Sequence, residues 1–155
     1  MTVIAAIVTR KGAVMGADSA VSDHTLKMTM ADPKIRDFDG TLIGYAGSVH
    51  LGRQMFRAIE KDQPTSIVEY VENMTHPKAW NGVAFLIVEN RQIWEVENGS
   101  AIHFSDSFGA IGSGSPYALG LLYRSHDDLG DLQIALNAAE YYSLEVRGPM
   151  LYLTA

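Results

Sequence analysis

The sequence contains no cysteine. That removes disulfides, thiol nucleophiles and cysteine-based zinc sites, and it is compatible with a cytoplasmic setting. No apolar run approaches the roughly 18–20 residues that a membrane-spanning helix needs, so no membrane partner is expected. Basic residues are scarce. Twelve Lys and Arg stand against 18 Asp and Glu, a formal net charge of −6 with no basic block. Such a balance argues against a nucleic-acid partner. The five histidines, at positions 24, 50, 76, 103 and 126, are scattered without metal-ligand spacing. No metal or organic cofactor is implied. Internal repeats, low-complexity tracts and linkers are also absent. What is present is 47% hydrophobic and 19% charged over 155 residues, the composition of one globular domain, 1–155, with a substantial core.

Residues 3–8 are apolar and rich in β-branched side chains, and residues 13–18 form a second apolar run after the turn signal Arg10-Lys11-Gly12. Together they predict a hairpin whose strands are covered on both faces. Residues 19–33 read as a loop with short extended pieces. A further hairpin is predicted around Asp39-Gly40, with strands over 34–38 and 41–46. Helices are predicted over 49–61, with Ser48 as N-cap, and over 67–74. Strands follow over 83–88, 92–96, 101–104 and 108–111. Two more helices, from Pro116 to about Tyr123 and over 129–141, precede a closing strand within 149–154. Runs of strands separated by pairs of helices predict an α+β arrangement of antiparallel sheets with helices layered outside.

The chain opens Met1-Thr2 and passes directly into the first apolar run, so no leader segment is expected. If Met1 is removed, Thr2 presents a hydroxyl and a free α-amine on one residue. That is a nucleophile and a base, since an α-amine titrates near roughly 7.7–8.0. Further along stand Gly16-Ala17-Asp18 at the end of the second strand and Lys34 at the start of the third. Gly44-Tyr45-Ala46-Gly47 precedes the first helix, and Ala110-Ile111-Gly112-Ser113-Gly114-Ser115-Pro116-Tyr117-Ala118 leads into the third.

With these five elements in order over nearly its whole length, the chain resembles the proteasome β-subunits, and most of all the HslV-type peptidases. These are N-terminal-nucleophile hydrolases with a four-layer αββα fold. The resemblance implies a threonine peptidase working inside a homo-oligomeric ring or stacked rings, with peptides or proteins as substrates. It also implies an AAA+ unfoldase ATPase as partner for folded substrates. By the same resemblance Thr2 would be the nucleophile, and Lys34 would favour its alkoxide. Asp18 would pair with Lys34, Gly47 N–H would donate to the oxyanion, and Ser113 would orient the Thr2 amine. Ser22 and Gly47 would bind substrate backbone. Tyr45, with Val21 and Val49, would line an apolar specificity pocket.

Each of these residues also has a plain structural reading. Asp18 could be a turn residue, Lys34 a surface lysine, Gly47 a glycine leading into a helix, Ser113 an N-cap and Tyr45 a core aromatic. Their joint occurrence in family order favours the site. One departure is notable. Many proteasome β-subunits carry a late Asp-x-x-Ser-Gly stretch that supports the terminal threonine, whereas here the comparable segment is Leu144-Glu145-Val146-Arg147-Gly148-Pro149. Glu145 is the nearest candidate to replace the missing side chains. That departure leaves open an alternative, a non-catalytic structural ring subunit that retains the fold. An amidase acting on a small molecule is a third option that nothing in the sequence specifies.

Overall fold

The computed structural model describes residues 2–22 and 27–155; Met1 and His24 lie outside them. The elements run β1 (Ile4–Thr9), β2 (Gly12–Ala17), β3 (Ala20–Ser22), β4 (Lys27–Thr29), β5 (Ile35–Phe38), β6 (Thr41–Gly47), α1 (Val49–Asp62) and α2 (Ile67–Met74). After a 3-10 turn at Lys78–Trp80 come β7 (Val83–Glu89), β8 (Gln92–Glu97), β9 (Ser100–Phe104), β10 (Phe108–Ile111), α3 (Ser115–Arg124), α4 (Leu129–Tyr142) and β11 (Leu151–Thr154). One sheet has the order β10-β1-β2-β11 and the other β5-β6-β7-β8-β9, while β3 and β4 form a separate ribbon. Every pairing is antiparallel.

Three apolar clusters define four layers. Ile43, Tyr45, Phe85 and Ile87 of the five-stranded sheet pack on Met55, Phe56 and Ile59 of α1 and on Val68 and Val71 of α2. The opposite face of that sheet, through Leu42, Leu86, Val88 and Ile93, meets Ile4, Ala6, Met15 and Ile111 of the four-stranded sheet. The outer face of the latter, Val3, Ala5 and Ile7, packs on Ala118 and Leu122 of α3 and on Leu132, Leu136 and Ala139 of α4. Successive strand residues point to opposite faces. β1 is apolar at nearly every position because odd residues serve the helix layer and even residues serve the other sheet. The structure is thus the expected αββα sandwich.

Local chemistry explains the boundaries. Asp39-Gly40 and Asn98-Gly99 hold positive φ at both central positions, 51° and 92° in the first and 52° and 74° in the second, the geometry of tight hairpins. Asn90-Arg91 does the same without glycine, at 51° and 62°. There the Arg91 guanidinium donates to the Thr9 carbonyl of the other sheet. Ser48 caps α1 by accepting from Leu51 N at 3.2 Å. By contrast, α3 is capped by Gly114 without a side-chain bond, so the N-cap reading of Ser113 does not hold. The 3-10 turn and the later start of the last strand, at Leu151, differ from the sequence reading.

Two helical glycines differ in their surroundings. A Cβ at Gly52 would lie 2.3 Å from Tyr45 Cγ and Cδ2, whereas one at Gly120 of α3 meets nothing within 4 Å. Gly120→Ala should therefore stabilise the fold by about 0.5–1 kcal/mol through helix propensity. Gly52→Ala should destabilise it by about 1–3 kcal/mol through overpacking. Urea denaturation of the two variants checks the opposite signs, and equal shifts would contradict the close contact of α1 with the Tyr45 ring.

Candidate functional site

Among the described residues, five polar or charged residues are buried, and four of them meet in one place: Thr2, Asp18, Ser19 and Lys34. They come from different parts of the sandwich. Thr2 precedes β1, and Asp18 and Ser19 follow β2, all on the four-stranded sheet. Lys34 precedes β5 on the five-stranded sheet, where Tyr45 N donates to its carbonyl at 3.1 Å. Lys34 Nζ donates to Thr2 Oγ1 at 2.6 Å and to Asp18 Oδ1 at 3.0 Å. Lys34 is 2% exposed and Asp18 0%.

A lysine so placed needs its charge accounted for, because removing an ammonium from water is costly unless it is paired. Burial pulls the Lys34 pKa below its ordinary value of 10.5, while the charge and hydrogen bond of Asp18 pull it back up. The carboxylate is itself well supplied with donors. Val3 N reaches Oδ1 at 3.1 Å, Ala20 N reaches Oδ2 at 3.1 Å, and Arg147 N reaches Oδ2 at 3.4 Å. Both carboxylate oxygens therefore hold backbone donors.

The backbone of Thr2 is held from the other side. Its N–H donates to Ser113 Oγ at 3.2 Å, and Gly114 N donates to the Thr2 carbonyl at 3.1 Å. Gly112, at φ 90°, has no room for a side chain: a Cβ there would stand 2.3 Å from Thr2 O and 3.4 Å from the Ala46 Cβ. The same crowding shows that Thr2 lies beside the end of β6. Gly47, next along, is exposed and holds φ 102°. Its Cβ position is occupied by Gly82 O, at 2.2 Å. Helix α1 starts two residues later with no acidic residue in its first turn, so the positive end of its dipole faces this glycine uncompensated.

Thr2, Asp18, Lys34 and Ser113 are joined by direct hydrogen bonds, and Gly47 follows Ala46 at the end of β6. The other sequence candidates lie further out. Val21 and Ser22 are half-buried on β3, paired with Met28 and Lys27. Tyr45 is 1% exposed in the layer between α1 and its sheet, edge-on to Phe56 at 5.4 Å, and half-buried Val49 packs on the same cluster. Its hydroxyl has no hydrogen-bond partner, and burial pushes its pKa up to about 12. Glu145 turns its N–H to Ser143 Oγ; the contact with Asp18 from this segment comes instead from the Arg147 backbone. Sequence reasoning missed Ser19, Arg147, Gly112 and Gly114. Arg147 and Gly114 act through their backbone N–H groups, which leave no mark on residue type, whereas Gly112 acts by lacking a side chain. No group of three or more His, Asp or Glu suited to a metal occurs among the described residues. None of the four helices in them is long and apolar enough to cross a membrane.

The fold is that of the proteasome-like N-terminal-nucleophile hydrolases. The chain is similar to BPH from Thiobacillus denitrificans at a TM-score of 0.85 and 20% identity, over 99% of this chain and 97% of that one. It is similar to eukaryotic HslV from Trypanosoma brucei at 0.82 and 17%, over 98% of each chain. Similarity to Anbu from Yersinia bercovieri is 0.80 and 13%, over 98% of this chain and 80% of that one. No protein-family model matches the sequence, and no match is found among curated proteins.

The depressed Lys34 pKa has a consequence for stability. Between its folded value and 10.5 the unfolded chain binds a proton that the folded chain has shed, so stability should rise with pH across that interval. Above 10.0 buried Tyr45 acts in the reverse sense, because the folded chain then holds the proton. Urea melts over this range should show the rise in the unaltered chain and lose it in Lys34→Met. Parallel curves would refute the assignment.

Proposed function

We propose that the chain, as a single unit over 1–155, is an N-terminal threonine peptidase once Met1 is removed. The observation that carries this reading is Lys34 Nζ at 2.6 Å from Thr2 Oγ1 with the buried Asp18 carboxylate behind it. Thr2 Oγ attacks the scissile carbonyl carbon, and its proton passes to the Thr2 α-amine, directly or through a water. The Lys34 ammonium lowers the cost of the developing alkoxide. The carbonyl oxygen becomes an oxyanion facing Gly47 N–H and the positive end of α1. Collapse breaks the C–N bond, the leaving amine takes the proton, and an ester on Thr2 remains. Water then hydrolyses the ester, with the same amine as base. Ser113, which is exposed, keeps the Thr2 nitrogen oriented while leaving it open to water.

Substrate backbone would lie along Ser22 and Gly47, the exposed end of β6. Self-association into rings, with an AAA+ unfoldase ATPase as partner in the cytoplasm, belongs to the same reading. It is supported by an exposed apolar group at the facing ends of α3 and α4, where Tyr141 is 82% and Leu144 94% exposed and Tyr117 stacks on Tyr142. Exposed apolar groupings of this kind commonly mark protein contacts.

Thr2→Ala should abolish peptide cleavage, a loss of at least about a thousandfold, while leaving folding and assembly unchanged. The comparison uses protein whose intact mass shows Met1 removed. Undiminished cleavage by the variant would exclude the mechanism, and absent cleavage by both would favour a non-catalytic subunit. The solved complex of T. denitrificans BPH with epoxomicin suggests a second assay. The same compound should add to this chain, and Thr2→Ala should remove the mass increment. If Val21, Val49 and Tyr45 receive the residue before the scissile bond, peptides with an apolar residue there should be cleaved fastest; equal rates for acidic, basic and apolar peptides would overturn that preference.

A further inference from the structure

Ser19 is the fourth buried polar residue of the site, and the mechanism above leaves it without a role. All three of its polar groups are committed. Its hydroxyl donates to Pro149 O at 2.6 Å, its N–H donates to Arg147 O at 2.9 Å, and its carbonyl accepts from Met30 N at 2.7 Å. It therefore gathers three pieces of chain beside Asp18: its own, the stretch after β4, and the stretch between α4 and β11. The last of these supplies the Arg147 N–H that bonds Asp18 Oδ2. Val146 is buried against the α3–α4 layer, within 2.7 Å of where a Gly114 Cβ would stand, and Gly148 N donates to Glu140 on the exposed side.

We propose that Ser19 is a positioning residue for the threonine site, acting through the 147–149 backbone and so through Asp18 on Lys34. The clamp holds a backbone donor on the carboxylate that supports the lysine. The hydroxyl is the part of the clamp that depends on the side chain, since any residue but proline at position 19 keeps the two backbone bonds. The proposal rests on the peptidase reading for its kinetic consequence and on geometry alone for its structural one.

The two can be measured separately. In the mature protein, amide exchange of Arg147 should be protected. Ser19→Ala should raise its exchange at least tenfold, while the amide of Gly114, which bonds Thr2 O, is unchanged. In peptide cleavage, Ser19→Ala should lower kcat about tenfold with KM within twofold, because the substrate contacts at Gly47 are untouched. Ser19→Thr, which keeps the hydroxyl, should recover most of kcat and the Arg147 protection. Unaltered Arg147 exchange in Ser19→Ala overturns the proposal whether or not the protein cleaves peptides. So does a fall in thermal midpoint with kcat unchanged, which would mark Ser19 as structural only. If Ser19→Ala does not fold, Ser19→Cys replaces it, a near-isosteric side chain with a weak donor, and the same two readouts decide. A chain that cleaves nothing while Ser19→Ala loosens Arg147 refutes the peptidase reading and leaves the clamp standing.

Discussion

A lysine ammonium buried between two sheets is the constraint on which the site depends. Lys34 stands at the start of β5 on one sheet, and Asp18 at the end of β2 on the other. Their 3.0 Å contact therefore spans the sandwich. Neither residue tolerates burial alone, because an unpaired charge in a low-dielectric interior costs several kcal/mol even after relaxation. Pairing recovers part of that cost, and the backbone donors on Asp18 recover more. The sandwich must then close with both sheets in register at this end, or the pair is broken. Buried ion pairs contribute little net stability, but breaking one by removing a partner costs about 3–5 kcal/mol. The pair is better understood as fixing how the sheets meet than as holding them together.

The surroundings are shaped to that requirement. Small residues sit wherever chain must approach chain. Gly44 lies between the sheets, where a Cβ would stand 2.6 Å from Ile4 Cγ2, and Gly112 lies against the Thr2 carbonyl. Large aliphatic residues fill the rest of the interface, each contributing about 1.5–3 kcal/mol on full burial. This distribution leaves one buried polar cluster of Thr2, Asp18, Ser19 and Lys34 beside the apolar layers. There the Lys34 charge is surrounded by protein groups instead of water, which is where an ammonium acts most strongly on a neighbouring hydroxyl.

Much of this was legible in the sequence because it is written in residue type. Two-faced apolar strands, Asp-Gly and Asn-Gly turns, the Ser48 cap and helical spacing after it gave the order of elements nearly as observed. Asp18 and Lys34 stood out as charges bordering apolar runs, although nothing local shows that they meet. Contacts made by backbone stayed invisible. Gly114 N on the Thr2 carbonyl and Arg147 N on Asp18 join positions more than a hundred residues apart and require no particular side chain. The late segment shows the difference most clearly. Read by residue type it lacks the expected acid and serine, and Glu145 looks like a substitute. In the structure a peptide N–H two residues later reaches Asp18, and the Glu145 N–H bonds Ser143 Oγ.

That substitution bears on how proton affinity at the site is set. Burial depresses the Lys34 pKa, and Asp18 raises it. A side-chain acid near Thr2 would add a second negative charge and shift that balance with pH. A peptide N–H on Asp18 adds none, since it has no titration of its own across the working range. Supporting the carboxylate with backbone therefore steadies the charge on Lys34 without coupling it to a further ionisable group.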